Sequence, residues 1–308
     1  MKSPPDPSSV RIPGPWRHRD ISANGIRLHV AECGEGPLVV LAHGFPEFWW
    51  SWRHQLVGLA DAGFRVVAVD LRGYGDSDKP PRGYDLWTLA GDLGGLIRAL
   101  GQRNATVIGQ AFGGLVCWTL AALHPRLVRS LVVLASAHPL ALRRAVWRRP
   151  LNQGRATARY ALGFQTPLLP ERSLRARDGA RVGKLLRAWS GQRWREAPEF
   201  TEVVDRYRDA MQITGVAHSS LEYYRWAVRS QARGDGRRFA AAMAAGVDLP
   251  VLQVHGTADP CVSESIARDS ARWVAGSHSF HPLEGVGRFV NQEAPYQTNR
   301  LITDFLGA

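Results

Sequence analysis

Apolar residues along the chain gather into short unbroken runs in two regions and follow a helical rhythm between them. "PLVVLAHG", "GFRVVAVDLRG", "NATVIGQ" and "SLVVLAS" occur in turn between residues 37 and 136. Each run is rich in Val and Leu and ends in a turn-forming or small residue, which predicts a strand covered on both faces. Residues 47–62, 85–100 and 113–124 carry helical spacing between them. Earlier, "RHRDISANGIRLHVAECG" predicts two strands joined by a tight turn at Asn24–Gly25. Strands return in "LPVLQVHG" (249–256) and "HSFHPLEG" (278–285), and a last helix is expected over about 293–306. Alternating buried strands and helices predict an α/β fold with a mostly parallel sheet flanked by helices.

Residues 138–236 break this rhythm. They contain no comparable apolar run and read as helices interrupted at Pro150, Pro167, Pro170 and Pro198. The expected organisation is therefore a flexible arm over 1–16, an α/β core formed by 17–137 and 237–308, and an inserted helical cap over 138–236. The arm, "MKSPPDPSSVRIPGPW", has no apolar stretch of the kind a secretory signal needs.

Charge sharpens the picture of the insertion. The 308-residue chain has a net charge of +12, and residues 138–238 alone hold 21 Lys or Arg against 9 Asp or Glu, the whole imbalance. A solvated, arginine-rich surface is the simpler reading, and contact with an anionic membrane through residues 143–149 ("RRAVWRR") is the alternative. No nucleic-acid partner is expected, because the aromatics do not interleave with the arginines as in a stacking groove. Three cysteines, Cys33, Cys117 and Cys261, form neither a metal spacing nor a disulfide framework. They point to a reducing, cytoplasmic location with no bound metal. No apolar run approaches the roughly 20 residues a membrane helix needs.

Four strand ends carry the candidate chemistry, since open parallel sheets place their working groups at the carboxyl ends of strands. In "LAHGFPEFWWSWRHQ" (41–55), His43 and Gly44 follow a strand, the Phe45 N–H is placed to face a developing oxyanion, and Pro46 permits a cis bond. Trp49, Trp50 and Trp52 suit pocket lining and core packing alike. "VIGQAFGGLVCW" (107–118) has the layout of a nucleophile elbow, a tight strand-to-helix turn between Gly109 and Gly113. Its tip, however, is Ala111, which has no nucleophilic atom. The Phe112 N–H supplies a second oxyanion donor. In "VHGTADPCV" (254–262), Asp259 suits either the acid that orients a base or the cap of a turn. In "LEGVGRFVNQEAP" (283–295), the place for a general base is Arg288, which cannot deprotonate near neutral pH.

These stretches, with "DLRGYGDSDKP" (70–80), resemble the α/β-hydrolase superfamily, and within it the epoxide hydrolases, relatives of the haloalkane dehalogenases. The resemblance extends over nearly the whole chain after residue 16. It implies an elbow aspartate that attacks the epoxide to form an ester, a His–Asp pair that hydrolyses the ester, two cap tyrosines that hold the epoxide oxygen, and no cofactor. Matched position by position, the nucleophile is replaced by Ala111 and the base by Arg288, while the acid, Asp259, and the oxyanion positions, Phe45 and Phe112, are kept. Tyr160 in "YALGFQTPLLPE" and Tyr224 in "LEYYRWAVR" match the cap tyrosines, although either also suits plain packing. His43 and Trp49 are expected at the pocket.

Losing one triad member costs orders of magnitude in rate, and further losses add little, because the members act as a unit. Ser136, His138, Cys117, Cys261, Asp76 and Asp78 offer no convincing substitute nucleophile. The expected function is that of an epoxide hydrolase-like protein, impaired or inactive in epoxide hydrolysis, that keeps a pocket for a small, largely apolar molecule. In that pocket Arg288 would pair with Asp259. The alternatives are an active hydrolase of epoxides or esters that uses other groups, and a scaffold that docks through its basic cap.

Overall fold

A computed structural model describes residues 3–148 and 163–307 of the chain. Tyr160 and the end of the 143–149 arginine stretch lie outside the described residues. Eight strands form one sheet: β1 Arg17–Ala23, β2 Ile26–Cys33, β3 Leu38–Ala42, β4 Arg65–Val69, β5 Ala105–Gln110, β6 Val128–Leu134, β7 Val251–Gly256 and β8 His278–Leu283, in the order β1-β2-β4-β3-β5-β6-β7-β8. From β4 to β8 all pairings are parallel, while β1 and β2 form an antiparallel hairpin against β4. Asn24 (φ 49°) and Gly25 (φ 78°) make its turn, both in the left-handed region that a two-residue hairpin requires. Every residue of β3, β5 and β7 is buried, as their unbroken apolar runs predict.

The order of the strands decides where a site can form. After β3 the chain moves outward to β4, then returns to the other side of β3 for β5. The loops leaving β3 and β5 therefore diverge and leave a crevice between them. The Phe45 loop and Ala111 stand on its two sides.

Two helices differ from the sequence pattern. Instead of one helix over 47–62 there is a 3-10 turn, Trp49–Trp52, and then a helix, Arg53–Asp61. The Trp49 N–H donates to the buried Asp70 carboxylate (2.9 Å), which docks the tryptophan turn into the core. The last helix divides into Val290–Glu293 and Pro295–Leu306, because Pro295 has no N–H and holds Ala294 outside helical geometry (φ −137°, ψ 57°).

The insertion is helical where it is described. Leu169–Trp189 bends sharply at residues 176–179, and Glu199–Gln212 and Val216–Arg229 follow. Gly234–Ala244 is one continuous helix that packs against the core helix Ala111–Leu123. A boundary at 236 thus cuts through an element, because the alanine-rich run there carries the helix past it. Buried Arg225 ties the lid together: it donates to the carbonyls of Phe164 and Thr166 (both 2.9 Å) and pairs with Glu171 and Glu222. No described helix is long and apolar enough to cross a membrane.

The N-terminal segment corrects the expectation of a flexible arm. Its described part lies against the core. Val10 is buried, and its carbonyl accepts a bond from the Trp49 indole (2.8 Å). Trp16 sets its edge against the Trp49 ring at 5.2 Å, and Arg11 binds both carboxylate oxygens of Asp20 and reaches Asp76. Prolines that suggest disorder also lower the entropy lost on docking, and the apolar residues among them provide the contact. Deleting residues 1–12 should lower unfolding stability by about 2 kcal/mol or more, mostly from exposing the site of Val10. Denaturant titration would check this, and an unchanged midpoint would contradict it.

Candidate functional site

The site begins at a close crossing. A Cβ on Gly113 would lie 2.1 Å from the Ala42 carbonyl oxygen, and one on Gly109 would lie 2.4 Å from the Gly113 carbonyl oxygen. Only glycine lets the turn after β5 press so closely on the end of β3. Ala111 is held between them at φ 50°, the strained conformation of an elbow. It begins the helix Ala111–Leu123, whose N-cap residue, Gln110, makes no side-chain capping bond. The Phe112 N–H, in the first turn, has no intrahelical partner. Across the crevice, Phe45 and Pro46 are joined by a cis peptide, and the Phe45 N–H donates to no described residue. A Cβ on Gly44 would approach the Ala111 methyl carbon to 2.8 Å, so the two donor loops touch at the elbow tip.

Asp259 and Arg288 meet. Arg288 Nη1 lies 3.4 Å from Asp259 Oδ2, with both residues buried. The other oxygen of Asp259 accepts the Cys261 N–H (2.7 Å) and, more weakly, that of Val262 (3.4 Å). One carboxylate therefore caps its turn with one oxygen and faces the Arg288 cation with the other. Burial opposes charge on Arg288, yet its guanidinium, faced by the Asp259 carboxylate, is shifted further toward the ionised form. Its backbone is fixed by bonds from its N–H to the Trp189 carbonyl (2.8 Å) and from Gln110 Nε2 to its own carbonyl (2.9 Å). Arg288 Nε is buried without an acceptor.

The cap contributes Tyr224. Its ring meets Phe45 (5.6 Å), Phe112 (5.4 Å) and Phe164 (5.3 Å), so it bridges the lid, the elbow and the oxyanion loop. Burial raises its hydroxyl above the usual phenol range and keeps it protonated. Tyr160 cannot be placed, since it lies outside the described residues.

His43 is a fixed neutral ring. Its Nε2 accepts the Leu71 N–H (3.1 Å), so Nδ1 carries the proton and donates to the Gly44 carbonyl (2.8 Å). It props the Phe45 loop and is not free to act as a base. The Trp49 ring packs on Trp16, His18 and Phe48, and its indole N–H donates to the Val10 carbonyl of the arm. Cys117 and Cys261 are held protonated by burial, the latter pushed up to about 12. Among the described residues no cluster of His, Cys, Asp and Glu could hold a metal ion.

Sequence reasoning passed over Glu47, Gln292 and Glu293. Glu47, within "HGFPEFWW", is 1% exposed and accepts bonds from the Gly44 N–H (3.2 Å) and Gln292 Nε2 (2.9 Å). Glu293 accepts the N–H groups of Gly191, Gly287 and Phe289 and so holds the loop that carries Arg288. The signal of the two acids was a carboxylate beside glycines and aromatics, which is visible only once partners from distant segments are known. Burial pushes the Glu47 carboxyl up to about 8, against the pull of the Gly44 N–H and Arg288. A carboxyl raised on folding makes the native state take up a proton between its unfolded and folded values, so its contribution falls as pH rises through that window. Glu47→Gln should therefore gain stability relative to the parent between about pH 4.5 and 8. Melting curves across that range would check it, and a constant difference would refute it.

An elbow at a switch point, two backbone donors opposite each other and a helical lid with an inward tyrosine define the class: an α/β-hydrolase with a cap. The chain belongs to the alpha/beta hydrolase fold family, whose model matches residues 37–295, and within it to the epoxide hydrolase-like group. It is 34% identical over 290 residues to AB hydrolase superfamily protein YfhM of Bacillus subtilis, covering 93% of this chain and 96% of that one. It is 33% identical to Epoxide hydrolase 3 of Xenopus tropicalis, over 92% and 75% of the two chains. Among solved structures, Epoxide Hydrolase A from Mycobacterium thermoresistibile superposes with a TM-score of 0.76 at 30% identity, over 95% and 98% of the chains.

Proposed function

We propose that this protein has lost ester-forming hydrolysis of epoxides and keeps its lidded site to bind a small, largely apolar molecule. The observation that carries this reading is the pair of substitutions at one strained site. Ala111 occupies the elbow tip at φ 50°, and Arg288, ionised and 3.4 Å from Asp259, stands at the base position. No ester can form on a methyl group, and no water can be deprotonated by a guanidinium. The aromatic side chains of Phe45, Phe112, Phe164 and Tyr224, packed on one another, favour an apolar body.

A hydrolase built on a substitute nucleophile is disfavoured by the protonated thiols of Cys117 and Cys261. On this reading the purified protein should turn over aryl epoxides no faster than buffer. The double variant Ala111→Asp, Arg288→His should form diol, with a gain of at least about a thousandfold over the parent. Chiral chromatography of the diol would measure it. Parent turnover that survives Asp259→Ala and Tyr224→Phe would overturn the reading.

A further inference from the structure

Several hydrogen-bond donors around the elbow meet no acceptor among the described residues, and one of them is a buried cation. Arg288 has a side chain about nine-tenths buried, yet its Nε has no acceptor and its Nη1 contact with Asp259 is long, at 3.4 Å. A buried charged donor left unpaired is costly, so such a group is normally matched by something. Asp259 cannot match it fully, because its second oxygen is committed to the Cys261 and Val262 N–H groups. Glu47, the other carboxyl facing Arg288, has both oxygens engaged by the Gly44 N–H and Gln292.

Three further donors nearby have no partner among the described residues. The Phe112 N–H opens a thirteen-residue helix with no side-chain cap, where an anion is favoured by the helix dipole. The Phe45 N–H is also without a partner among the described residues. The Tyr224 hydroxyl makes no hydrogen bond with a described residue. Phe112 follows Ala111, Gly44 before Phe45 abuts its methyl carbon, the Tyr224 ring meets Phe45 and Phe112, and Gln110 holds the Arg288 carbonyl. All lie about the elbow tip, where the resemblance to epoxide hydrolases implies a projecting carboxylate and this chain has only a methyl group.

We propose that the ligand of the lidded site is a small monocarboxylic acid with an apolar or aromatic body, whose carboxylate occupies the space over Ala111. Arg288 and the N–H groups of Phe45 and Phe112 receive the carboxylate, and Phe45, Phe112, Phe164 and Tyr224 enclose the body. The proposal rests on the reading above that the site binds rather than hydrolyses. A single negative charge suits it: Asp259 beside Arg288 repels a dianion, and aromatic walls exclude the water a phosphate would carry. The ligand supplies the charge that the elbow aspartate would otherwise have supplied.

The test is titration calorimetry at pH 7 with two matched pairs, phenylacetate against phenylacetamide and hexanoate against hexanamide. The acids should bind at least about tenfold more tightly than their amides, as expected for charge-assisted hydrogen bonds to a buried guanidinium. Arg288→Met should reduce that preference to about parity. Ala111→Asp, which places a carboxylate in the same space, should abolish acid binding in a protein with the parent's circular dichroism and melting behaviour. Amides that bind as tightly as acids would overturn the carboxylate assignment and leave the apolar-binding reading intact. An acid preference that persists in both variants would place the charge contact elsewhere and overturn it too. Displacement of phenylacetate by millimolar inorganic phosphate would assign the site to bare anions instead. If neither acids nor amides bind, both readings fail.

Discussion

The close approach of the turn after β5 to the end of β3 is the constraint on which the rest of the site depends. It is set by two absent side chains, at Gly109 and Gly113, whose Cβ atoms would collide with backbone at 2.4 and 2.1 Å. Backbone cannot give way as a flexible side chain can, so the strand-to-helix turn has one available path. That path places residue 111 in the left-handed region, directs the first N–H groups of the helix into the crevice and brings the Phe45 loop against the elbow tip. All of these follow whatever side chain stands at 111. The geometry of the elbow is therefore independent of the side chain at its tip.

Around that crossing, polar groups from remote segments hold the loops in place. Asp70, at the end of β4, accepts bonds from the N–H groups of Trp49 and Asp76 and meets the His29 ring, which ties the oxyanion loop to the "GYGDSDKP" loop and the hairpin. Gln292 links Glu47 to Tyr207 and Arg53, joining the core, the last helices and the lid. Glu293 gathers three N–H groups beneath the Arg288 loop. Buried polar groups of this kind are costly unless every member is satisfied, so the few that are not stand out. The unmatched Arg288 Nε lies at the site and not in this supporting framework.

Much of the fold is legible in local pattern. Unbroken apolar runs mark β3 to β7 because a strand covered on both faces has no polar side to show. Asn24–Gly25 marks the hairpin because few residues accept two positive φ angles in succession. The edge strand β8 falls within its expected stretch, whereas the last helix divides at Pro295 where a single helix was expected. The docked arm was the largest departure: a proline- and serine-rich composition suggests a loose chain, but Val10 and Trp16 find a groove that no local window reveals.

The amino-acid sequence by itself determined what is covalent at the site. A methyl group at 111 cannot attack and a guanidinium at 288 cannot accept a proton, whatever surrounds them. It also determined the spacing of glycines that makes the elbow. Only the tertiary structure decided that Asp259 divides its two oxygens between its turn and Arg288, that Trp49 packs against the arm, and that Glu47 is buried beside the cation. These outcomes depend on burial and on partners brought together from segments far apart in the chain, and neither desolvation nor an unmatched donor has a signature in any single stretch of sequence.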